Sequence, residues 1–237
     1  MTSTLVVAAV LVGQLSIGWS NDLLDVERDR AAQRTDKPAA LGHVSVRALQ
    51  VATGIALIGC VVLSLTVGIS SAAVHLGLVV AAGWAYNLGL RATVASPLPY
   101  AVAFGALPSV ITLAGPSSHG VHVAPPWMAL TGALLGIAAH LLNVLPDLDD
   151  DLRAGVRGLP HRMGESATRR IAVALLVAGT AATVFGPGRP PVWALVALGL
   201  CVVVGGVGAS ARGRWPFVVG AGIAVLDVAL LAVRSTG

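Results

Sequence analysis

Eight stretches of the sequence are apolar over about the length needed to cross a bilayer. They lie at residues 4–21, 44–67, 71–90, 98–115, 126–146, 168–186, 190–209 and 216–233. A spanning helix needs about 20 mostly apolar residues, and only 11% of the 237 residues are charged, against about 25% in soluble domains. The sequence therefore predicts an all-α, polytopic membrane bundle of about eight transmembrane helices, a single domain over residues 1–237 in contact with the lipid bilayer.

The basic residues predict the orientation of this bundle. Thirteen of the fifteen Lys and Arg residues follow odd-numbered predicted helices, and only Arg189 and Arg234 lie on the opposite side. By the positive-inside rule, the odd-numbered loops are cytoplasmic and both chain ends face outward. The N-terminus lacks the basic region of a signal peptide, so we expect the first helix to stay in the mature protein. The net charge of +4 is explained by topology and local anion binding, and we expect no nucleic-acid partner.

A polar segment that begins at Asn21 recurs 122 residues later. Seven residues of the first copy, Asn21, Leu23, Asp25, Asp29, Ala32, Pro38 and Gly42, are identical to Asn143, Leu145, Asp147, Asp151, Ala154, Pro160 and Gly164. We interpret this as two four-helix repeats, residues 1–115 and 126–233. With four helices in each, an axis along the membrane normal should relate them. Both motifs would then meet at one cytoplasmic site.

The acidic residues of each copy are spaced to share one helix face. Asn21, Asp25 and Asp29 are four residues apart, and residues at this spacing are neighbours on a helix. Asn143, Asp147 and Asp151 repeat the stripe. Carboxylates this close disfavour one another's charged forms unless a cation is present, and oxygen ligands suit Mg²⁺. The alternative is a solvated acidic helix end. The predicted metal ligands are Asp22, Asp25, Asp29, Asp147 and Asp151.

Cationic residues accompany both motifs. Lys37 follows the first motif and Arg157 the second, while Tyr86 and Arg91 lie at the cytoplasmic end of the third predicted helix. Carboxylates that hold Mg²⁺ beside cations that hold phosphate oxygens describe a diphosphate site. Arg91 is either a diphosphate ligand or an interfacial anchor.

Two further polar residues lie deeper in the predicted membrane segments. His140 is on the stripe of the second motif, where it either lines a cavity or is a satisfied core histidine. Asp227 is the one carboxylate at membrane depth. An ionisable residue there is a functional candidate by default, although a partner hydroxyl would be a sufficient structural account.

These motifs resemble those of the UbiA superfamily of intramembrane prenyltransferases. The family's Asn-Asp-x-x-Asp-x-x-x-Asp motif is present at residues 21–29, and its Asp-x-x-x-Asp motif at residues 147–151. The Gly-x-Arg-x-Leu-Pro sequence of residues 155–160 and the pair Tyr86 and Arg91 also resemble the family. Two differences stand out. Members normally have nine helices, with one before the helix of the first motif, and many have Arg where this chain has Pro146.

The resemblance implies Mg²⁺-dependent transfer of a prenyl group from an isoprenoid diphosphate to a small aromatic acceptor in a cytoplasmic cavity. We expect a quinone-precursor acceptor, similar to 4-hydroxybenzoate or dihydroxynaphthoate, and hence a role in quinone biosynthesis. The expected catalytic residues are Asp25, Asp147 and Asp151. The expected substrate-binding residues are Asn21, Lys37, Tyr86, Arg91, Asn143 and Arg157.

Two other functions were weighed against transfer. A UbiA-like terpene cyclase would guide a cation through several rearrangements, which favours an aromatic-rich pocket, and the chain has only ten aromatic residues. A membrane transporter should carry its polar site near the midplane, where only Asp227 lies. The cyclase would use the same diphosphate chemistry as a prenyltransferase and is disfavoured by the low aromatic content, and the transporter ranks last.

Overall fold

In a computed structural model of the chain, every regular element among the described residues is a helix. The structure describes residues 2–35, 37–114, 122–153, 155–210 and 215–235. Seven helices in these ranges are long and apolar enough to cross a membrane: Thr2–Ala31, Val46–Val67, Ile69–Asn87, Pro126–Arg153, Glu165–Phe185, Val192–Ser210 and Phe217–Arg234. A shorter apolar helix covers Leu98–Thr112. The predicted all-α, multi-pass membrane fold is confirmed, and these eight apolar segments agree with the predicted number.

Large apolar side chains cover much of the outer surface of the spanning helices. Ile58, Val196 and Val225, for example, are each more than half exposed. A soluble helix would place polar side chains at such positions, whereas a helix that is apolar all round is typical of a membrane span. The hydrocarbon layer is therefore the natural solvent of this surface.

The residues group into two compact units, and the first comprises Met1–Leu90 and Ser109–Val123. Its regular elements are α1 (Thr2–Ala31), α2 (Val46–Val67), α3 (Ile69–Val74), a π-helical segment (His75–Val80) and α4 (Ala81–Asn87). The long helix α1 packs mainly on α2 and also contacts α4 and the π-helical segment. The hydroxyl of Ser45 caps α2 by accepting a hydrogen bond of 3.1 Å from the backbone N–H of Ala48, which satisfies a donor that a helix start leaves without an intrahelical partner.

The second unit comprises Arg91–Pro108 and Ala124–Gly237. It takes residues 98–108 of α5 (Leu98–Thr112), whose last residues belong to the first unit. Its other helices are α6 (Pro126–Val144), α7 (Leu148–Arg153), α8 (Leu159–Met163), α9 (Glu165–Phe185), α10 (Val192–Ser210) and α11 (Trp215–Arg234). Helix α9 lies at its centre and packs on α6, α10 and α11. Glycine allows α5 and α6 to approach closely, because a Cβ at Gly136 would lie 2.5 Å from the carbonyl oxygen of Tyr100. Small residues serve the same purpose at many membrane helix contacts.

Three helices differ in extent or continuity from the apolar stretches of the sequence. Helix α1 continues past residue 21, where its apolar stretch ends, to Ala31, so the whole first motif is helical, as its spacing predicted. The predicted helix over residues 71–90 is interrupted by the π-helical segment. The predicted helix over residues 126–146 ends at Val144, where a 3₁₀ turn over Leu145–Asp147 begins. Pro146 explains this break, because proline has no N–H to donate and its ring clashes with the preceding helical turn. The predicted repeats at residues 1–115 and 126–233 stay a prediction.

Candidate active site

The first acidic motif lies on the last three turns of α1. Asp25 and Asp29 are on one face of this helix and are only 3% and 5% exposed, while Asn21 and Asp22 are half-buried. The stripe predicted from the sequence is therefore present at this motif. Buried carboxylates keep their charge only when cations or donors compensate the loss of water.

Basic side chains supply this compensation. Arg28 Nη2 donates to Asp25 Oδ2 over 3.1 Å. Lys37, fifteen residues after Asp22 in the chain, donates from Nζ to Asp22 Oδ1 over 2.6 Å. The loop after α1 thus folds back onto the motif, and it brings together a predicted phosphate-binding cation and a predicted metal ligand. The carboxylates of Asp22 and Asp25 are therefore each paired with a basic side chain.

Asn87, which the sequence analysis did not propose as a site residue, holds α1 in place next to the first motif. Its Nδ2 group donates to the carbonyl oxygen of Ile17 and to Ser20 Oγ, each over 2.8 Å. Both acceptors lie on α1 within one turn of Asn21. The side chain of Asn87 is buried, and its neighbour Tyr86 is half-buried at the same end of α4. The Tyr-Asn sequence at the end of an apolar helix was the available signal.

The second acidic motif has a different backbone. Asp147 closes the 3₁₀ turn, and Asp151 lies in the short helix α7. A 3₁₀ turn over Leu145–Asp147 lies between Asn143 and Asp151, so the backbone of this copy departs from a regular α-helix; the predicted common face of Asn143, Asp147 and Asp151 stays a prediction. Asn143 is exposed, whereas Asp147 and Asp151 are half-buried.

The loop that carries Arg157 packs against the segment that carries Arg91. A Cβ at Gly158 would lie 2.5 Å from the carbonyl oxygen of Arg91 and 3.0 Å from Ser96 Oγ, so this contact requires glycine. Ser96 is fully buried, and its hydroxyl accepts a hydrogen bond of 3.1 Å from the backbone N–H of Leu159. Two predicted phosphate ligands, half-buried Arg91 and exposed Arg157, are therefore carried by adjacent backbone segments of the second unit.

His161 is a second residue that the sequence analysis missed. It lies on α8, and its Nε2 atom is 3.3 Å from Asp151 Oδ2. Its side chain is 2% exposed, against 20% for that of Asp151. A histidine ten residues after a motif carboxylate, between Pro160 and Gly164, was the only signal in the sequence.

The sequence matches the model of the UbiA prenyltransferase family over residues 2–232. The chain belongs to this family. The predicted enzyme class, a prenyltransferase, is confirmed by this match. A comparison with curated proteins found no match.

Solved structures show the same fold for this prenyltransferase. The chain is similar to a UbiA homologue from Aeropyrum pernix K1, with a TM-score of 0.76 and 19% identity over 99% of this chain and 90% of that one. A UbiA homologue from Archaeoglobus fulgidus, bound to GPP and Mg²⁺, has a TM-score of 0.68 and 14% identity over 97% of this chain and 87% of that one. A digeranylgeranylglyceryl phosphate synthase has a TM-score of 0.65 and 18% identity, covering 98% and 84%.

The donors of the prenyltransferase fit Mg²⁺ bound jointly with a substrate. In the described part of the chain, no three histidine, cysteine or acidic side chains lie close enough to enclose a metal ion. Mg²⁺ does not need such a cage, because it is commonly held by one or two carboxylates, substrate phosphates and water. Asp25 and Asp29, buried beside cations, supply oxygen donors of this kind.

The two deeper polar residues of the prenyltransferase are both buried. His140 is 1% exposed, its Nε2 atom is 3.0 Å from Ser96 Oγ, and its ring centroid is 4.9 Å from that of Tyr100. The structure favours the core-histidine interpretation. Asp227 is fully buried in α11, and Thr180 of α9 lies beside it. Neither carboxylate oxygen of Asp227 has a hydrogen-bond partner among the described residues, and the Thr180 hydroxyl bonds to the carbonyl oxygen of Leu176, so the structure does not show the pairing with a helix hydroxyl.

Proposed function

We propose that this protein transfers a prenyl group from an isoprenoid diphosphate, bound through Mg²⁺, to a small aromatic carboxylic acid. The buried carboxylates of the first motif, already paired with cations, carry the proposal. They are an oxygen-rich anionic cluster at the end of a membrane helix, in a family of prenyltransferases. In this reaction the C1–O bond to diphosphate breaks, a bond forms to the acceptor ring, and the ring loses a proton.

Asp22, Asp25 and Asp29 would hold the metal at the first motif, and Asp147 and Asp151 at the second. Bound Mg²⁺ would neutralise the charge that develops on the departing diphosphate. Asp22 and Asp25 are occupied by Lys37 and Arg28 in this structure. Because Lys37 is on a loop and only partly buried, it can turn from Asp22 to a phosphate oxygen when the metal takes its place.

Arg91 and Arg157 are proposed to bind the diphosphate with Lys37. Both arginines are accessible to solvent, and they lie on backbone segments that contact each other through Gly158. Guanidinium groups bind phosphate oxygens through paired N–H donors. Asn21, Asn143 and Tyr86 complete the proposed substrate-binding set, since each has a hydrogen-bonding side chain that is at least partly exposed. Asn21 lies at the first motif, Asn143 at the second, and Tyr86 at the end of α4.

An aromatic acid is the proposed acceptor because basic residues flank the acidic motifs and the chain has few aromatic residues. A carboxylate would be drawn to the same basic loops that bind diphosphate. Fast capture by a ring held nearby reduces the time for which a prenyl cation must be stabilised, which suits a chain with ten aromatics. A quinone-precursor acid meets both conditions. The likeness to a digeranylgeranylglyceryl phosphate synthase makes a glyceryl phosphate the second acceptor to test.

The decisive experiment uses the protein purified in detergent. Allylic diphosphates of several chain lengths are offered with aromatic acids or a glyceryl phosphate, and pyrophosphate release and product mass are recorded with and without Mg²⁺. We expect a prenylated aromatic acid that requires Mg²⁺. A prenylated glyceryl phosphate would replace the acceptor, and a cyclic hydrocarbon with no acceptor added would establish the cyclase alternative. Mg²⁺-independent turnover would contradict the proposed site.

We further propose that both motifs face the cytoplasm, as the distribution of basic residues indicates. Thr35, Ser166 and Thr66 are exposed hydroxyl residues, and each can be replaced by cysteine with little change in size. Thr35→Cys and Ser166→Cys should react with an impermeant thiol reagent from the cytoplasmic side, and Thr66→Cys only from outside. The native Cys60 and Cys201 are buried and provide a low background. Reaction of the Thr35 and Ser166 variants from opposite sides would exclude a shared site.

A further inference from the structure

The short helix α8 is anchored through its first two residues, Leu159 and Pro160. At its start, the backbone N–H of Leu159 donates to Ser96 Oγ, and Ser96 is itself hydrogen-bonded to His140 over 3.0 Å. At the next residue, the carbonyl oxygen of Pro160 accepts from Thr168 Oγ1 over 3.2 Å and from the backbone N–H of Gly164, just after the helix, over 3.0 Å. A five-residue helix has little stability of its own. The two bonds to the buried side chains of Ser96 and Thr168 therefore fix its position in the second unit.

The anchored helix presents His161 to the second acidic motif. Asp151, when ionised, has no proton to donate, so the contact of 3.3 Å requires a hydrogen on His161 Nε2. The histidine is almost fully buried while the aspartate is partly exposed. A buried donor held by the fold and a more accessible acceptor form a pair in which the histidine restrains the carboxylate.

We propose that His161 is a positioning residue for Asp151, which it orients for binding Mg²⁺ and diphosphate. This inference rests on the proposed function, because it assigns Asp151 to the metal. Metal-binding carboxylates are commonly held by hydrogen bonds from a second layer of residues, and loss of such a bond weakens metal affinity about 10–100-fold. In this role His161 contacts neither substrate nor metal, and it acts through one oxygen of Asp151.

A neighbouring ion pair provides the internal contrast. Arg153 also pairs with a motif carboxylate, Asp150, but their side chains are 76% and 52% exposed. Exposed pairs of this kind contribute little because water competes for both charges. Arg153→Gln therefore removes the exposed partner of Asp150 on α7, the helix that also carries Asp151, and leaves the buried contact of His161 with Asp151 intact.

The test compares three substitutions at His161 with Arg153→Gln. Glutamine places an amide N–H close to the position of Nε2 and retains the donor. Phenylalanine keeps a ring but has no donor, and asparagine is too short to reach Asp151. Mn²⁺ serves as the probe, and its binding to the purified protein in the presence of inorganic diphosphate is followed by electron paramagnetic resonance. The Mg²⁺ concentration for half-maximal turnover is measured in parallel.

We expect His161→Phe and His161→Asn to bind Mn²⁺ about 10–100-fold more weakly than wild type, with His161→Gln and Arg153→Gln close to wild type. Wild-type affinity in His161→Phe would overturn the inference. Equal losses in His161→Phe and His161→Gln would also overturn it, because the donor would then not matter. If His161→Phe fails to fold, the comparison of His161→Gln with His161→Asn decides in the same way. A wild-type protein that binds no Mn²⁺ would instead overturn the proposed function, and the inference with it.

Discussion

The two acidic motifs share a spacing in the sequence but differ in backbone, burial and support. The first lies on an uninterrupted helix, with Asp25 and Asp29 almost completely buried. The second is divided by a 3₁₀ turn, and Asp147 and Asp151 remain partly exposed. The first is supported from a spanning helix by Asn87, the second from a five-residue helix by His161.

This difference shows that a repeated sequence does not impose a repeated geometry. Pro146 accounts for the 3₁₀ turn in the second copy, because proline cannot donate the helical hydrogen bond with which the first copy continues. The first motif is pre-organised by burial, which makes its carboxylates depend on compensating cations. The second is less buried, and Asp151 depends on a contact from outside its own helix, the hydrogen bond with His161.

The largest effect should follow from removing the matched carboxylates Asp25 and Asp147. We expect Asp25→Asn and Asp147→Asn each to lower turnover by more than about 100-fold, as loss of one charge-stabilising group does at other sites, with the proteins still folded. The matched controls are Glu27→Gln and Asp149→Asn, since these exposed acids occupy equivalent places in the two copies. The rate of pyrophosphate release is measured for all four variants. Normal turnover in either aspartate variant would rule out a two-motif site.

Support of the first motif should give the next largest effect. Asn87→Ala removes two buried hydrogen bonds to α1, which should lower the free energy of unfolding by about 1–3 kcal/mol and turnover about 10-fold or more. Trp84→Phe is the control, because Trp84 contacts the same helix through one long bond of 3.4 Å to Ser16. Thermal unfolding and kinetics in detergent distinguish the two. If Asn87→Ala lowers stability but leaves the Mg²⁺ dependence and turnover unchanged, Asn87 is structural only.

These supports explain how far the sequence could go. The apolar spans and the acidic spacing follow from local patterns, so the helices, the first stripe and the family were predictable. The hydrogen-bond partners of Asn87 and Ser96 are 70 and 44 residues away in the chain. No local sequence pattern predicts contacts at such a separation. The 3₁₀ turn in the second copy was not predicted, because the spacing of Asn143, Asp147 and Asp151 was given more weight than the proline between them.

Disturbing the backbone contact between Gly158 and Arg91 should have a smaller effect on turnover. In Gly158→Ala the new methyl group would press on the carbonyl oxygen of Arg91, and such overpacking costs about 1–3 kcal/mol. We expect the KM for the prenyl diphosphate to rise more than kcat falls, since the loop carries Arg157 and not the metal ligands. Gly206→Ala, which meets nothing within 4 Å on α10, is the control. An unchanged KM would separate this loop from diphosphate binding.

The smallest effect, and the most direct test of the comparison, concerns Pro146. Pro146→Ala restores an N–H where the two copies differ, so the second motif can continue its helix as the first does. We expect the KM for the prenyl diphosphate to change by no more than about 10-fold, or ~1.4 kcal/mol, because Asp147 and Asp151 remain. Pro146→Arg makes the same backbone change and adds a cation at an exposed position, so its KM should lie below that of Pro146→Ala at low salt, with the gap closing as salt screens the charge. Equal KM values at every salt concentration would show that a cation at this position does not reach the diphosphate.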